Sequence, residues 1–244
     1  MSSSSSLPLS RSRTNWAVAL PDEILLEILC HAFTLPKGLD AVRWPVIKRR
    51  LVDPPLLVEG IRHLVPEALY KSNSVTIRFA TAERSGALVK DGDACRIEYP
   101  RPAFHHWVRK LEIHFNLTNH SYVPKPGHPW PSPRDFQVRW MKRLASGAVG
   151  FEGLRSLTLV FNDVYEKKRP DLWGDLESLY QKFQKAGPIA LGVDTVEITV
   201  ERHSCKREVC SMDGRLQQDW RTPCYWVAVL EQYFIHGAVV HTPY

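Results

Sequence analysis

The chain has 244 residues, 44% of them hydrophobic and 24% charged, enough for one large domain with a real core and outside the range of fibrous or wholly disordered chains. Lysine and arginine number 32 against 26 acidic residues, a formal net charge of +6, which permits weak attraction to polyanions. The basic runs Lys48-Arg49-Arg50 and Lys167-Lys168-Arg169 read as solvated surface, nucleic acid is not an expected partner, and no apolar run approaches the roughly 18 residues a membrane span needs.

Residues 1–15 are Ser-rich and of low complexity, the composition of a disordered tail. They carry no apolar secretory core. The expectation is therefore a cytoplasmic or nuclear address, with Cys30, Cys95, Cys205, Cys210 and Cys224 kept as thiols. The first ordered element is a helix opening at Pro21, with Asp22 and Glu23 opposing the positive end of its dipole. Ile24, Leu25, Ile28, Leu29, Ala32 and Phe33 fall at helical spacing, and Pro36 and Gly38 end the element. Pro45, Pro54 and Pro55 then break periodicity, and the basic run fits a short helix between them. A second helix is predicted over about 58–71, with Ile61, Leu64 and Leu69 inward, before a strand in which Val75, Ile77 and Phe79 alternate with polar residues.

Three later segments share one template, apolar at positions 1, 4, 6 and 8. They are Val108-Arg-Lys-Leu111-Glu-Ile113-His-Phe115, Leu154-Arg-Ser-Leu157-Thr-Leu159-Val-Phe161 and Val193-Asp-Thr-Val196-Glu-Ile198-Thr-Val200. Each ends in the period-two alternation of a strand. Each precedes a helical pattern: Phe136, Trp140, Met141 and Leu144; then Leu172, Leu176, Leu179, Tyr180 and Phe183; then Tyr225, Trp226, Val229, Leu230, Tyr233 and Phe234. Gly147, Gly187 and Gly237 stand where these helices should close. Strand–helix repetition predicts an α/β fold with a small, mostly parallel sheet, either irregular or degenerate leucine-rich-repeat-like. Five prolines between Pro124 and Pro133 make a stiff loop.

Catalytic templates fail. The chain has no G-x-S-x-G elbow, P-loop, G-x-G-x-x-G, H-E-x-x-H or C-x-x-C. His203, Cys205, Cys210 and Cys224 could be drawn as zinc ligands, but their spacing matches no compact knuckle. His105, His106, His114, His120 and His128 read as surface or loop-packing residues, and Asp171, Asp175 and Glu177 as carboxylates opposing a helix dipole. Asp91-Gly92-Asp93 reads as a turn. No cofactor and no metal is expected.

The first helix, Leu20-Pro21-Asp-Glu-Ile24-Leu25-Leu-Glu-Ile28-Leu29, resembles the opening of an F-box over about residues 19–34. The later F-box ending does not follow. Instead Leu64-Val-Pro-Glu67-Ala68-Leu69-Tyr70-Lys-Ser-Asn73-Ser-Val75-Thr-Ile77 resembles a segment of fungal F-box-like proteins of unknown function, so that the likeness covers roughly residues 19–80. With the patterns above it divides the chain into a disordered Ser-rich tail at 1–15, an F-box-like helical region at 16–72 and an α/β repeat-like domain at 73–244. It also implies a non-enzymatic substrate receptor of a cullin-type ubiquitin ligase. Leu20, Pro21, Ile24, Leu25, Ile28 and Leu29 would then face a Skp-type adaptor, and the α/β body an unknown target protein. Two other readings stay open. One is a stand-alone α/β protein, enzymatic if His105, His106, Cys205 and nearby carboxylates line a pocket. The other is weak nucleic-acid binding through Lys48, Arg49 and Arg50.

Overall fold

The computed structural model describes residues 20–78, 88–91, 94–97, 100–115, 117, 133–161, 172–200 and 223–237. Helix α1 (Asp22–Ala32) starts the described chain, and a two-residue strand β1 (Leu39–Asp40) follows. Next comes one helical run, α2 (Trp44–Ile47), a π-helical turn (Lys48–Val52) and α3 (Asp53–Leu56). Helix α4 (Val65–Ser72) leads through Asn73 into β2 (Ser74–Arg78). Strands β3 (Leu88–Asp91) and β4 (Ala94–Ile97) pair antiparallel, with Asp91 opposite Ala94; Gly92 and Asp93 of the expected Asp91-Gly92-Asp93 turn lie outside the described residues. A 3₁₀ segment (Pro102–Trp107) precedes β5 (Lys110–Phe115). Helix α5 (Pro133–Ala145), β6 (Ser156–Phe161), α6 (Leu172–Ala186), β7 (Thr195–Val200) and α7 (Pro223–Phe234) complete it.

Five strands form one all-parallel sheet in the order β1-β2-β5-β6-β7. The order follows the chain without reversal. Right-handed crossovers that always step the same way put the connecting segments on one face of the sheet. The three template segments supply β5, β6 and β7, and they align position for position. Leu111 pairs with Leu157 and Leu157 with Val196; Ile113 with Leu159 and Leu159 with Ile198; Phe115 with Phe161 and Phe161 with Val200. Strand β2 is a further copy, with Val75 beside Leu111 and Ile77 beside Ile113. The alternation thus sends one uniform apolar set to the helix face.

Aromatic packing shows what covers that face. Phe115 and Phe161 stack with ring centroids 4.4 Å apart and planes 3° from parallel. Phe183 of α6 meets Phe115 edge-on at 6.0 Å, and Phe234 of α7 lies 6.3 Å from Phe161. Such pairs add about 0.5–1.5 kcal/mol each beyond the area they bury. Tyr233, its hydroxyl within 2.8 Å of Phe183 O and 2.6 Å of Gly187 O, ties α7 to the end of α6. Burial, with Tyr180 adding to it, pushes the pKa of Tyr233 up.

The N-terminal region shares this core. Leu25, Leu29, Phe33, Leu39, Val65, Ala68 and Leu69 are buried in one cluster with the strand residues. Strand β1 pairs Leu39 with Val75, which binds the helical region to the sheet. Gly38 makes that approach feasible: its φ is +58°, and a Cβ there would lie 2.4 Å from the carbonyl oxygen of Ser74. The expected second helix is shorter than its sequence pattern, since residues 59–64 form turns and regular helix begins at Val65. Pro66 sits in its first turn, where a missing N–H costs nothing.

Candidate partner-binding surfaces

Helix α1 is apolar on more than its core side. Leu25 and Leu29 are 2% and 8% exposed and, with Phe33, pack inward. Ile24 and Ile28, four residues apart, are each 45% exposed, and Leu20 is 37% exposed. Pro21 is exposed beside them. The six sequence-predicted contact residues therefore divide: Leu20, Pro21, Ile24 and Ile28 form an outward row, and Leu25 and Leu29 an inward one. The two rows lie one residue, about 100°, apart around the helix.

Polar contacts fix how α1 is held. Asn73, 1% exposed, joins α1 to the junction of α4 and β2. Its Oδ1 accepts from Leu35 N–H at 2.7 Å, and its Nδ2 donates to Phe33 O and Leu69 O, both at 2.8 Å. The Cys30 thiol points at Ala68 O at 3.8 Å, and burial pushes its pKa up. At the other end His63 Nε2 lies 2.9 Å from Asp22 Oδ2. These bonds hold the inward row in place and leave the outward row uninvolved.

More exposed apolar side chains follow in the next segment. Val42, Val46, Leu56, Leu57 and Val58 are all exposed, Leu57 at 88%. Lys48, Arg49 and Arg50 are exposed in the π-helical turn among them, with Lys48 ion-paired to Asp53 at 3.2 Å. Sequence reading did not single these apolar residues out. Their signal was the unbroken Leu56-Leu57-Val58 run directly after two prolines.

The sheet face opposite the helices carries polar residues in register. Asp40, Thr76, Glu112, Thr158 and Glu197 form one row across all five strands. Arg78, His114, Val160 and Thr199 form the next. Asp40 Oδ1 accepts from the N–H groups of Val42 and Arg43 at 2.8 and 2.9 Å, and Oδ2 accepts from Arg43 Nε at 3.1 Å. Burial pushes the Asp40 carboxyl upward, but the hydrogen bonds from Arg43 and the charges of Arg43 and Arg78 outweigh it, so its pKa lies below the ordinary value. Glu112 is also lowered, first by its hydrogen bond to His114, against burial, with His114, Arg78 and Thr76 assisting. His114 Nε2 bonds Glu112, while His114 Nδ1 is buried without a partner.

His105 is also structural. Its ring is buried, stacks on Phe151 at 4.3 Å, and lies between Val149 O and Pro100 O at 2.6 and 2.9 Å. His106, beside it, is exposed and tilts against Trp107 at 4.4 Å. Of the four zinc candidates, His203, Cys205 and Cys210 lie outside the described residues, and Cys224 is half-buried in the first turn of α7. No group of three or more histidine, cysteine or acidic residues among the described residues could hold a metal ion. No described helix is long and apolar enough to cross a membrane. Comparison with known proteins returns no matching family model, no similar curated protein and no similar solved structure.

Proposed function

We propose that the protein is a non-enzymatic interaction protein that docks through the outward row of α1, Leu20, Pro21, Ile24 and Ile28. The partner is a Skp-type adaptor, and the α/β body presents a target to the attached cullin-type ubiquitin ligase. One observation carries this reading: α1 buries a complete apolar row in the core and keeps a second, fully formed one at the surface. A helix folded only to stabilise its own domain needs one such row. Partner helices are read through anchors at this i, i+4 spacing. The likeness of residues 19–34 to an F-box opening supplies the adaptor's identity. A receptor of this kind acts by raising the effective concentration of its target near the ligase. Isothermal titration of the purified chain into a fungal Skp-type adaptor tests it. Saturable binding that Ile24→Asp removes supports the proposal, and no heat at high micromolar concentrations refutes it.

A further inference from the structure

We propose that the edge of the sheet at which its strands begin is a binding site for single-stranded nucleic acid, independent of the α1 surface. Topology assembles it. Each connecting helix runs back against its strands, so helix C-termini and strand N-termini meet along one edge. Lys142 and Arg143 occupy the last turn of α5, and Lys185 the last turn of α6. There they oppose the negative dipole ends, a local gain that explains each one singly. Arg155 and Lys110 stand at the starts of β6 and β5, and Arg101 precedes the 3₁₀ segment.

Backbone hydrogen bonds knit these starts together. Arg109 O accepts from Arg155 N–H at 2.9 Å and from Ser156 N–H at 3.0 Å. Arg155 O in turn accepts from Asp194 N–H and Thr195 N–H. The guanidinium of Arg109 is spent internally, its Nη1 donating to His106 O and Gly153 O at 2.8 and 2.9 Å. A Cβ at Gly153 would overlap that guanidinium at 1.4 Å, so the clamp depends on glycine. His105, held by Val149 O, pins the 3₁₀ segment to the turn before β6.

Of these cations Arg101, Lys110, Lys142, Arg155 and Lys185 are exposed, and among the described residues the exposed acids beside them are Glu152 and Asp194. The sequence scatters these residues over 85 positions (101 to 185), and the fold gathers them on one edge. Basic residues clustered on one face are the electrostatic footprint of nucleic-acid binding. The exposed His106, backed by Trp107 at 4.4 Å, adds an aromatic surface on which an unpaired base can stack. An anionic membrane is the less suited polyanion. Membrane-surface binding also wants apolar side chains beside the cations, and among the described residues eight of the nine exposed large apolar ones fall between Leu20 and Val58.

The test is fluorescence anisotropy of the full chain with a labelled 20-nucleotide oligo-U strand at rising salt. Contact with three to five phosphates gives a log–log salt slope of about −2 to −4. Reversing the exposed charges together (Lys110→Glu, Arg155→Glu and Lys185→Glu) should weaken binding at least about tenfold with an unchanged circular-dichroism melt. Reversing Lys48, Arg49 and Arg50 should leave it intact. No binding at low salt, binding lost only with the Lys48–Arg50 reversal, or stronger binding to phosphatidylserine vesicles than to the strand would each overturn the proposal. Adaptor titration with the Lys110/Arg155/Lys185 variant keeps the two surfaces distinguishable, because it should bind the adaptor like the unaltered chain.

Discussion

The strand–helix units of 108–200 and the segment 20–64 use apolar residues in opposite ways. In the units, one template repeats in register, and template positions 4, 6 and 8 of β5 and β6 are buried. Among the described residues, the same units expose no large apolar side chain, and Ile235 follows α7. The N-terminal segment fills its share of the same core and still leaves Leu20, Ile24, Ile28, Val42, Val46, Leu56, Leu57 and Val58 outside. A monomer gains nothing in folding from that surplus, and contiguous exposed apolar surface marks interaction sites. The contrast puts the exposed apolar surplus in the segment, where the proposed adaptor contact lies, while both regions share one core.

Substitutions can break this contrast from either side. The largest effect is expected from Leu25→Asp, which puts an unpaired carboxylate in the core at a cost of about 4 kcal/mol or more; urea denaturation should find it unfolded or nearly so. Phe161→Ala removes a fully buried ring from the stack with Phe115 and should cost about 3–5 kcal/mol, read as a lower denaturation midpoint. Asn73→Ala strands Leu35 N–H and Phe33 O and takes one donor from Leu69 O, which keeps the Ser72 hydroxyl at 3.4 Å. It should cost about 2–3 kcal/mol, and the amides of the α1 C-terminus should exchange hydrogen faster than those of β5 and β6.

A smaller effect is tied to pH. Asp40 and Glu112 both have lowered folded pKa values. Their contribution is complete above the unfolded values of about 4 and is lost as pH falls through the lower folded values. Asp40→Asn should therefore flatten the acid limb of a plot of Tm against pH, and an unchanged limb would show that Asp40 takes no part. The smallest stability effect belongs to Ile24→Asp with Ile28→Asp, within about 1 kcal/mol because both side chains are already half in water.

The repeated strands were legible in the sequence because period two and a shared template coincide in three places. Their register was not predicted, although the structure pairs the template position for position. The two-residue β1 was not, since Leu39–Asp40 is too short to show any period. Strand β2 was read as a strand but not as a repeat, because Ser72 stands where the template wants an apolar residue. In α1 the pattern identified the helix but not its inward side. Ile24, Leu25, Ile28 and Leu29 make an apolar band wider than the strip a neighbour can cover, and which half is buried depends on α4 and Asn73, distant in the chain. The polar row from Asp40 to Glu197 and the basic edge were illegible for the same reason. Each is assembled by strand order from residues that carry no common local signal.

The most direct test pairs two measurements on one variant, Ile24→Asp with Ile28→Asp: its thermal midpoint, and co-purification with a Skp-type adaptor through size exclusion. A midpoint close to that of the unaltered chain, with the equimolar complex lost, is the expected result. A variant that unfolds would show that the outward row belongs to the core, and a complex that survives would show that the adaptor does not read this face.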